Sequence, residues 1–337
     1  MFNYGILLDN EVLYASHPDY EQMLQIVNFS NSFAANIRDG RLFRIEHLVD
    51  ADAYSTMIDS RDLQDDRVLM YVTTGTIDHL LIHDQKEILD KFVKEVEAQV
   101  NIKKVPKMNM EKIADFTLKV NRIAEKMNQE LEVESNSNES PNMMDVKDNV
   151  VTKIHYLGIS TKTGIPLMNM IYGESLIAHF KMPAKEDSSP SEMLRSLMSA
   201  QFSAIVKSSI LKANTLITEI TINHTDIETL QLNQLVIMFF PIGKNNQYTL
   251  EICYEGSHEH VNGFIRACFT MFSEHLQQEF KGNLQEMQPL RELMVSIPEN
   301  FDLFGEPADL KNEEINEKLA LDFKPAEVDN DNDDEWA

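Results

Sequence analysis

A chain of 337 residues, 43% hydrophobic and 25% charged, has globular composition and enough length for two domains of ordinary size. Its net charge of −25, from 55 acidic and 30 basic residues, argues against nucleic acid as a partner, because phosphate binding needs basic groups. Nor does it favour attraction to an anionic membrane surface. No apolar run reaches about 18 residues, so no membrane-spanning helix is expected.

The N-terminal "MFNYGILLDNEVLY" lacks a basic start, and Asp9, Asn10 and Glu11 interrupt its apolar run, so it reads as core strand and not as a signal peptide. Residues 2–8 and 11–15 form a hairpin. "SHPDYEQMLQIVNFSNSFAANI" follows as a helix, with Pro18 at its first position and Ser16 and Asp19 near capping-box spacing. Tyr20, Met23, Leu24, Val27, Phe33, Ala34 and Ile37 recur at helical spacing as one apolar stripe. Asp39-Gly40 should end the helix through a left-handed glycine. "RLFRIEHLV", "AYSTMIDS" and "RVLMYVTT" then read as strands. "DQKEILDKFVKEVEAQV" and "NMEKIADFTLKVNRIAEKMNQEL" read as amphipathic helices separated by Pro106.

This first unit spans 1–132. Residues 133–149 are acidic and poor in large apolar groups, the composition of a flexible linker. The second unit, 150–298, begins with the hairpin "VVTKIHYLGIS" and "IPLMNMIY", turning at Lys162-Thr163-Gly164. After an extra segment, 173–188, Ser189-Pro190-Ser191-Glu192 forms a capping box with proline at the first helical position. The helix it opens has apolar residues over a wide arc, as in a helix held between layers. "TLITEITIN", "NQLVIMFFPIG" and "QYTLEICYE" read as strands, and "HEHVNGFIRACFTMFSEHLQQEF" and "NLQEMQPLRELMVS" as helices. The tail, 299–337, holds 14 acidic and 3 basic residues and has the composition of a disordered segment.

Both units therefore spell strand–strand–helix–strand–strand–strand–helix–helix, a repeat of pattern without a repeat of letters. That order, with "GISTKTGIPL" leading into a Ser/Ala/Leu/Met-rich helix, resembles longin domains, a profilin-like family related to the roadblock fold. The first unit matches in element order only, and segment 173–188 departs from the simplest longin pattern. The resemblance implies an α/β (α+β) fold of two profilin/longin-like domains, each an antiparallel five-stranded sheet packed with helices. It further implies association through an edge strand and the first helix, whose exposed backbone groups pairing would satisfy.

Catalytic and binding chemistry is sparse. Gly243-Lys244 lacks the rest of a phosphate loop and reads as a strand-end turn; there is no G-x-S-x-G, H-E-x-x-H or C-x-x-C. His258-Glu259-His260, with His224 or His275, has metal-ligand chemistry. It falls at a helix start, however, where Ser257 and Glu259 suit capping and the dipole. His79 and His83 are four apart, and Asp65-Asp66 lie in a polar turn. Cys253 and Cys268 are too few for a disulfide framework and read as small buried hydrophobes in a cytoplasmic protein. The expectation is no catalytic, cofactor-binding or metal residue and no cofactor.

The reading that follows is a non-enzymatic, cytoplasmic scaffold or adaptor for trafficking or signalling, held at membranes only through partners. The resemblance implies a small GTPase or another longin or roadblock protein as partner, and a homo- or heterodimer as one form of assembly. A PAS- or GAF-like sensor is the alternative; it would need an apolar pocket between sheet and helix. An enzyme without a recognisable motif is a third reading.

Overall fold

The computed structural model describes residues 2–9, 11–50, 52–64, 67–77, 82–134, 152–172, 175–181, 189–225, 231–278 and 280–300. Most of the expected linker (135–149), the acidic tail from 301, His79 and Asp65-Asp66 lie outside them. The fold is mixed α/β. In the first half come β1 (Asn3–Leu8), β2 (Glu11–Ala15), α1 (Tyr20–Ala34), β3 (Arg41–Val49), β4 (Asp52–Asp62), β5 (Val68–Thr76), α2 (Ile82–Gln99) and α3 (Met110–Glu134). In the second come β6 (Lys153–Thr161), β7 (Pro166–Ile171), α4 (Ser175–His179), α5 (Pro190–Ala213), β8 (Leu216–Thr225), β9 (Leu232–Ile242), β10 (Tyr248–Glu255), α6 (His258–His275) and α7 (Gln288–Asn300).

Where two separate five-stranded sheets were expected, all ten strands form one antiparallel sheet in the order β2-β1-β5-β4-β3-β8-β9-β10-β6-β7. Each half supplies five neighbouring strands in corresponding order, and the halves join where β3 pairs with β8. One face of this sheet is covered by α1 and α5, whose apolar residues share one core with strands from both halves. The reverse face carries two further cores, one under α2 and α3 and one under α6 and α7.

Local sequence explains most of these elements. Ser189 Oγ accepts from Glu192 N at 3.2 Å, Glu192 Oε2 accepts from Ser189 N at 3.3 Å, and α5 ends at left-handed Asn214. Its buried residues, Leu194, Met198, Phe202, Ile205 and Val206 with Ser199 and Ser203, cover about half of the helix circumference, the wide arc its patterning gives. Gly164 closes the β6–β7 turn at φ +79°.

The start of α1 departs from expectation. The helix begins at Tyr20, and its N-cap Asp19 makes no side-chain cap. Ser16 instead ties the hairpin, its Oγ accepting from Tyr4 N at 3.0 Å and donating to Asn3 Oδ1 at 3.3 Å. The end differs too. Asp39, at φ 53°, takes the left-handed conformation. Gly40 is needed for space, since a Cβ there would sit 2.3 Å from the Ala34 carbonyl oxygen.

Candidate functional site

At the seam the halves are joined on both faces of the sheet. On the α1–α5 side, β3 offers Leu42 and Ile45 and β8 offers Ile217, Ile220 and Ile222, all in the shared core. β-Branched residues at this density suit a half-buried pleated surface. Above them Phe33 of α1 meets Phe202 of α5 edge-on at 5.2 Å, and Phe202 meets Tyr156 at 5.2 Å and Phe239 at 5.7 Å. These rings fill the layer between helix and sheet.

On the reverse side the seam is polar. The Arg44 guanidinium donates to Glu219 across the seam, and its other amino group lies 3.0 Å from Glu46 Oε1. Glu46 and Glu219 are direct cross-strand partners, an arrangement of like charges that would repel without Arg44 between them. Burial raises the Glu46 carboxyl above its ordinary range, Arg44 opposes the shift and Glu219 adds to it. On the α1–α5 side, His47, opposite Ile217 and stacked on Tyr54 at 5.6 Å, is pushed down to about 4 by burial, against a backbone hydrogen bond with Ile45.

A second link between the halves comes from the extra segment. This segment, which departs from the simplest longin pattern, crosses in its described part to the end of α1. Phe180 forms a β-bridge with Ile37, Arg38 N donates to the His179 carbonyl at 2.7 Å, and Lys181 N donates to the Asn36 carbonyl at 2.7 Å. Lys181 Nζ also donates to the Ala35 carbonyl at 3.1 Å, satisfying a helix C-terminus with a cation.

The histidines regroup relative to expectation. His258 Nδ1 pairs with Tyr254 Oη at 2.9 Å, His260 Nδ1 with Thr152 Oγ1 at 3.1 Å, and exposed His83 with Glu87 at 3.4 Å. Ser257 is the N-cap of α6 without a side-chain cap bond, and Glu259 lies in its first turn. His224 joins none of these. With His179 of α4 and Glu255 of β10 it forms a group whose ligand atoms all lie within 4.8 Å of one another. His224 Nε2 is 2.9 Å from Glu255 Oε1, and His155 Nε2 is 3.6 Å from Glu255 Oε2. Sequence reasoning missed this group because its members are scattered over β6, α4, β8 and β10, with no local spacing to mark them.

The two thiols are buried and unpaired by disulfide, as read from sequence; burial pushes both well above the ordinary thiol range. Gly243-Lys244 is a strand-end turn, with Gly243 at φ 78°. A hollow of about 420 Å³ beside α2 is lined by Arg61, Glu87, Asp90, Lys91, Val93, Lys94 and Glu97. Its lining is mostly charged, unlike the apolar pocket a small-molecule sensor needs. No described helix is long and apolar enough to cross a membrane. No protein-family model matches this chain, and no curated protein matches its sequence at a significant level.

Proposed function

We propose that the chain is a tandem longin-like protein acting as a non-enzymatic scaffold or adaptor in the cytoplasm. Its partner is a small GTPase or another longin or roadblock protein, in trafficking or signalling. The observation that supports this reading is the sheet order. Two five-strand sets with corresponding connectivity meet edge to edge at β3 and β8, with the first long helix of each, α1 and α5, side by side over the seam.

On this reading a partner docks away from the seam. The inner edge strand and first helix of each half already face the other half, which on this reading occupies the surface expected for dimerisation. A partner strand would meet β2 or β7, the two outer strands of the sheet. The net charge of −25 favours a partner with a basic face and a faster encounter at low salt.

The test is affinity capture with the full chain from its native cell extract, read by mass spectrometry. Binding of each purified candidate, GTPases in both GDP- and GTP-loaded forms, would then be measured. The expected result is saturable binding of a small GTPase or a longin or roadblock protein in roughly the micromolar range, with no nucleotide hydrolysis by the chain alone. Stoichiometric turnover by the chain alone, or saturable binding of a small apolar ligand in place of any protein, would overturn the reading.

A further inference from the structure

We propose that His179, His224 and Glu255 bind a zinc ion that fastens the α4 segment to the sheet. The donors come from three elements. Alternation with Ile220 and Ile222 puts His224 on the α1–α5 side of β8, and alternation with Cys253 puts Glu255 on the same side of β10. α4 then brings His179 over them, its ring centroid 4.9 Å from that of His224.

The atoms are placed as ligands of a common centre. His224 is 1% exposed, yet both of its ring nitrogens lack an aligned hydrogen bond. Its Nε2 stands 2.9 Å from Glu255 Oε1, close enough for an ion pair but without hydrogen-bond alignment. A neutral imidazole wastes hydrogen-bonding capacity when buried this way, at a cost that native interiors rarely carry. An ion between the two removes it, because each donor then directs a lone pair at the metal. Ligands about 2.0–2.2 Å from a tetrahedral ion stand roughly 3.4 Å apart. Small side-chain rotations bring a set lying within 4.8 Å to that spacing.

The donor chemistry selects the metal. Two imidazoles and one carboxylate suit zinc, and the absence of a thiolate in the set disfavours softer ions. His155 Nε2 lies 3.6 Å from Glu255 Oε2, the oxygen that does not ligate, and a small shift would let it act as an orienting group in the outer shell. The consequence is mechanical. The His179 carbonyl accepts from Arg38 N just after α1, so an ion on the His179 ring ties the end of α1 in the first half to the sheet of the second. This departs from the metal-free expectation drawn from sequence and does not depend on the scaffold reading.

The experiment uses the full chain carrying no histidine tag, loaded with zinc, freed of loose metal by dialysis and analysed by mass spectrometry for elements. A parallel sample is loaded with cobalt(II), whose visible absorption reports tetrahedral coordination. The expected result is one zinc per chain and a tetrahedral cobalt spectrum. His179→Gln and His224→Asn should each weaken zinc binding at least about tenfold, and His155→Gln should weaken it by about tenfold to 100-fold. His258→Gln and His260→Gln should leave it unchanged. Circular dichroism establishes that each variant is folded. The proposal falls if the parent chain retains no stoichiometric zinc and gives no tetrahedral cobalt spectrum, a result that needs no variant. It also falls if folded His179→Gln and His258→Gln bind zinc equally well.

Discussion

Arg44 in β3 and Glu219 in β8 form an ion pair across the seam with side chains only 12% and 9% exposed. The two residues are 175 positions apart, so the pair reports directly on the pairing of the halves. Removing one partner of a buried pair leaves an uncompensated charge, which costs roughly 3–5 kcal/mol. Glu46 remains beside Arg44, so Glu219→Ala should fall at the lower end, about 3 kcal/mol. Replacing all three charges, as Arg44→Met with Glu46→Gln and Glu219→Leu, should recover most of that loss, since it leaves no unpaired charge and well-packed apolar substitutes are often neutral. Urea unfolding of the three proteins checks this; equal stability of the parent and Glu219→Ala would show that the pair does not hold the seam.

α5 yields a graded set. Ser189→Ala removes a capping box present on both sides and should cost about 1 kcal/mol. Phe202→Ala empties a fully buried position between Phe33, Tyr156 and Phe239 and should cost roughly 3–5 kcal/mol. Leu197 only packs against the edge of the core. Leu197→Ala should therefore cost less than the 2–5 kcal/mol typical of a buried leucine, about 1 kcal/mol. Denaturant midpoints that rank Leu197 above Phe202 would place the helix on the wrong face.

The contrast between these residues shows what the sequence makes legible. Strand and helix runs, the capping box and the turn at Gly164 are local, set by periodicity and backbone preference over a few residues, and they read correctly. The start of α1 misread because Ser16 has two uses for its hydroxyl, and the hairpin's contacts with Tyr4 and Asn3 decide between them. The merger of ten strands into one sheet depends on which edge meets which. β3 and β8 alternate apolar and polar residues like any half-buried strand, and nothing in that pattern names the partner. The His179–His224–Glu255 group is hidden for the same reason, since only the fold brings α4 over β8 and β10.

Two buried groups should give opposite pH dependences. His47 is depressed to about 4, while an unfolded histidine takes a proton near 6.5. The unfolded chain therefore binds more protons between these values, and stability is lost as pH falls from about 6.5 to about 4. Burial raises Glu251 from 4.5 to about 7, against hydrogen bonds from Ser160 and Tyr156. Here the folded state holds the proton longer, so stability is full below about 4.5 and is lost as pH rises towards 7 and beyond. Each shift corresponds to roughly 3 kcal/mol. Urea titrations at about pH 4.5 and 7.5 should show Glu251→Gln gaining on the parent at the higher pH by an amount of that order. His47→Gln should gain on the parent at the lower pH. Parallel profiles for parent and variants would show that neither group titrates in this range.

The joined sheet makes a last prediction about the chain as a whole. If the seam holds the halves, the connection between α3 and β6 serves only to keep them together. A protease site placed within residues 139–145, cut in the folded protein, should leave two fragments that elute as one species. The forces available are the β3–β8 ladder, the Phe33–Phe202 contact, the Arg44–Glu219 pair and the Ile37–Phe180 bridge. Apolar contacts under α1 and α5 dominate, because burial of large side chains supplies most of the stabilisation and the edge hydrogen bonds mainly fix register. Phe33→Ala in the cut protein should therefore weaken the association more than Lys181→Ala, which removes one exposed contact to the Ala35 carbonyl. Size-exclusion chromatography over a dilution series reads both effects. Separation of the unmutated fragments at roughly micromolar concentration would mean that the tether, and not the seam, maintains the ten-stranded sheet.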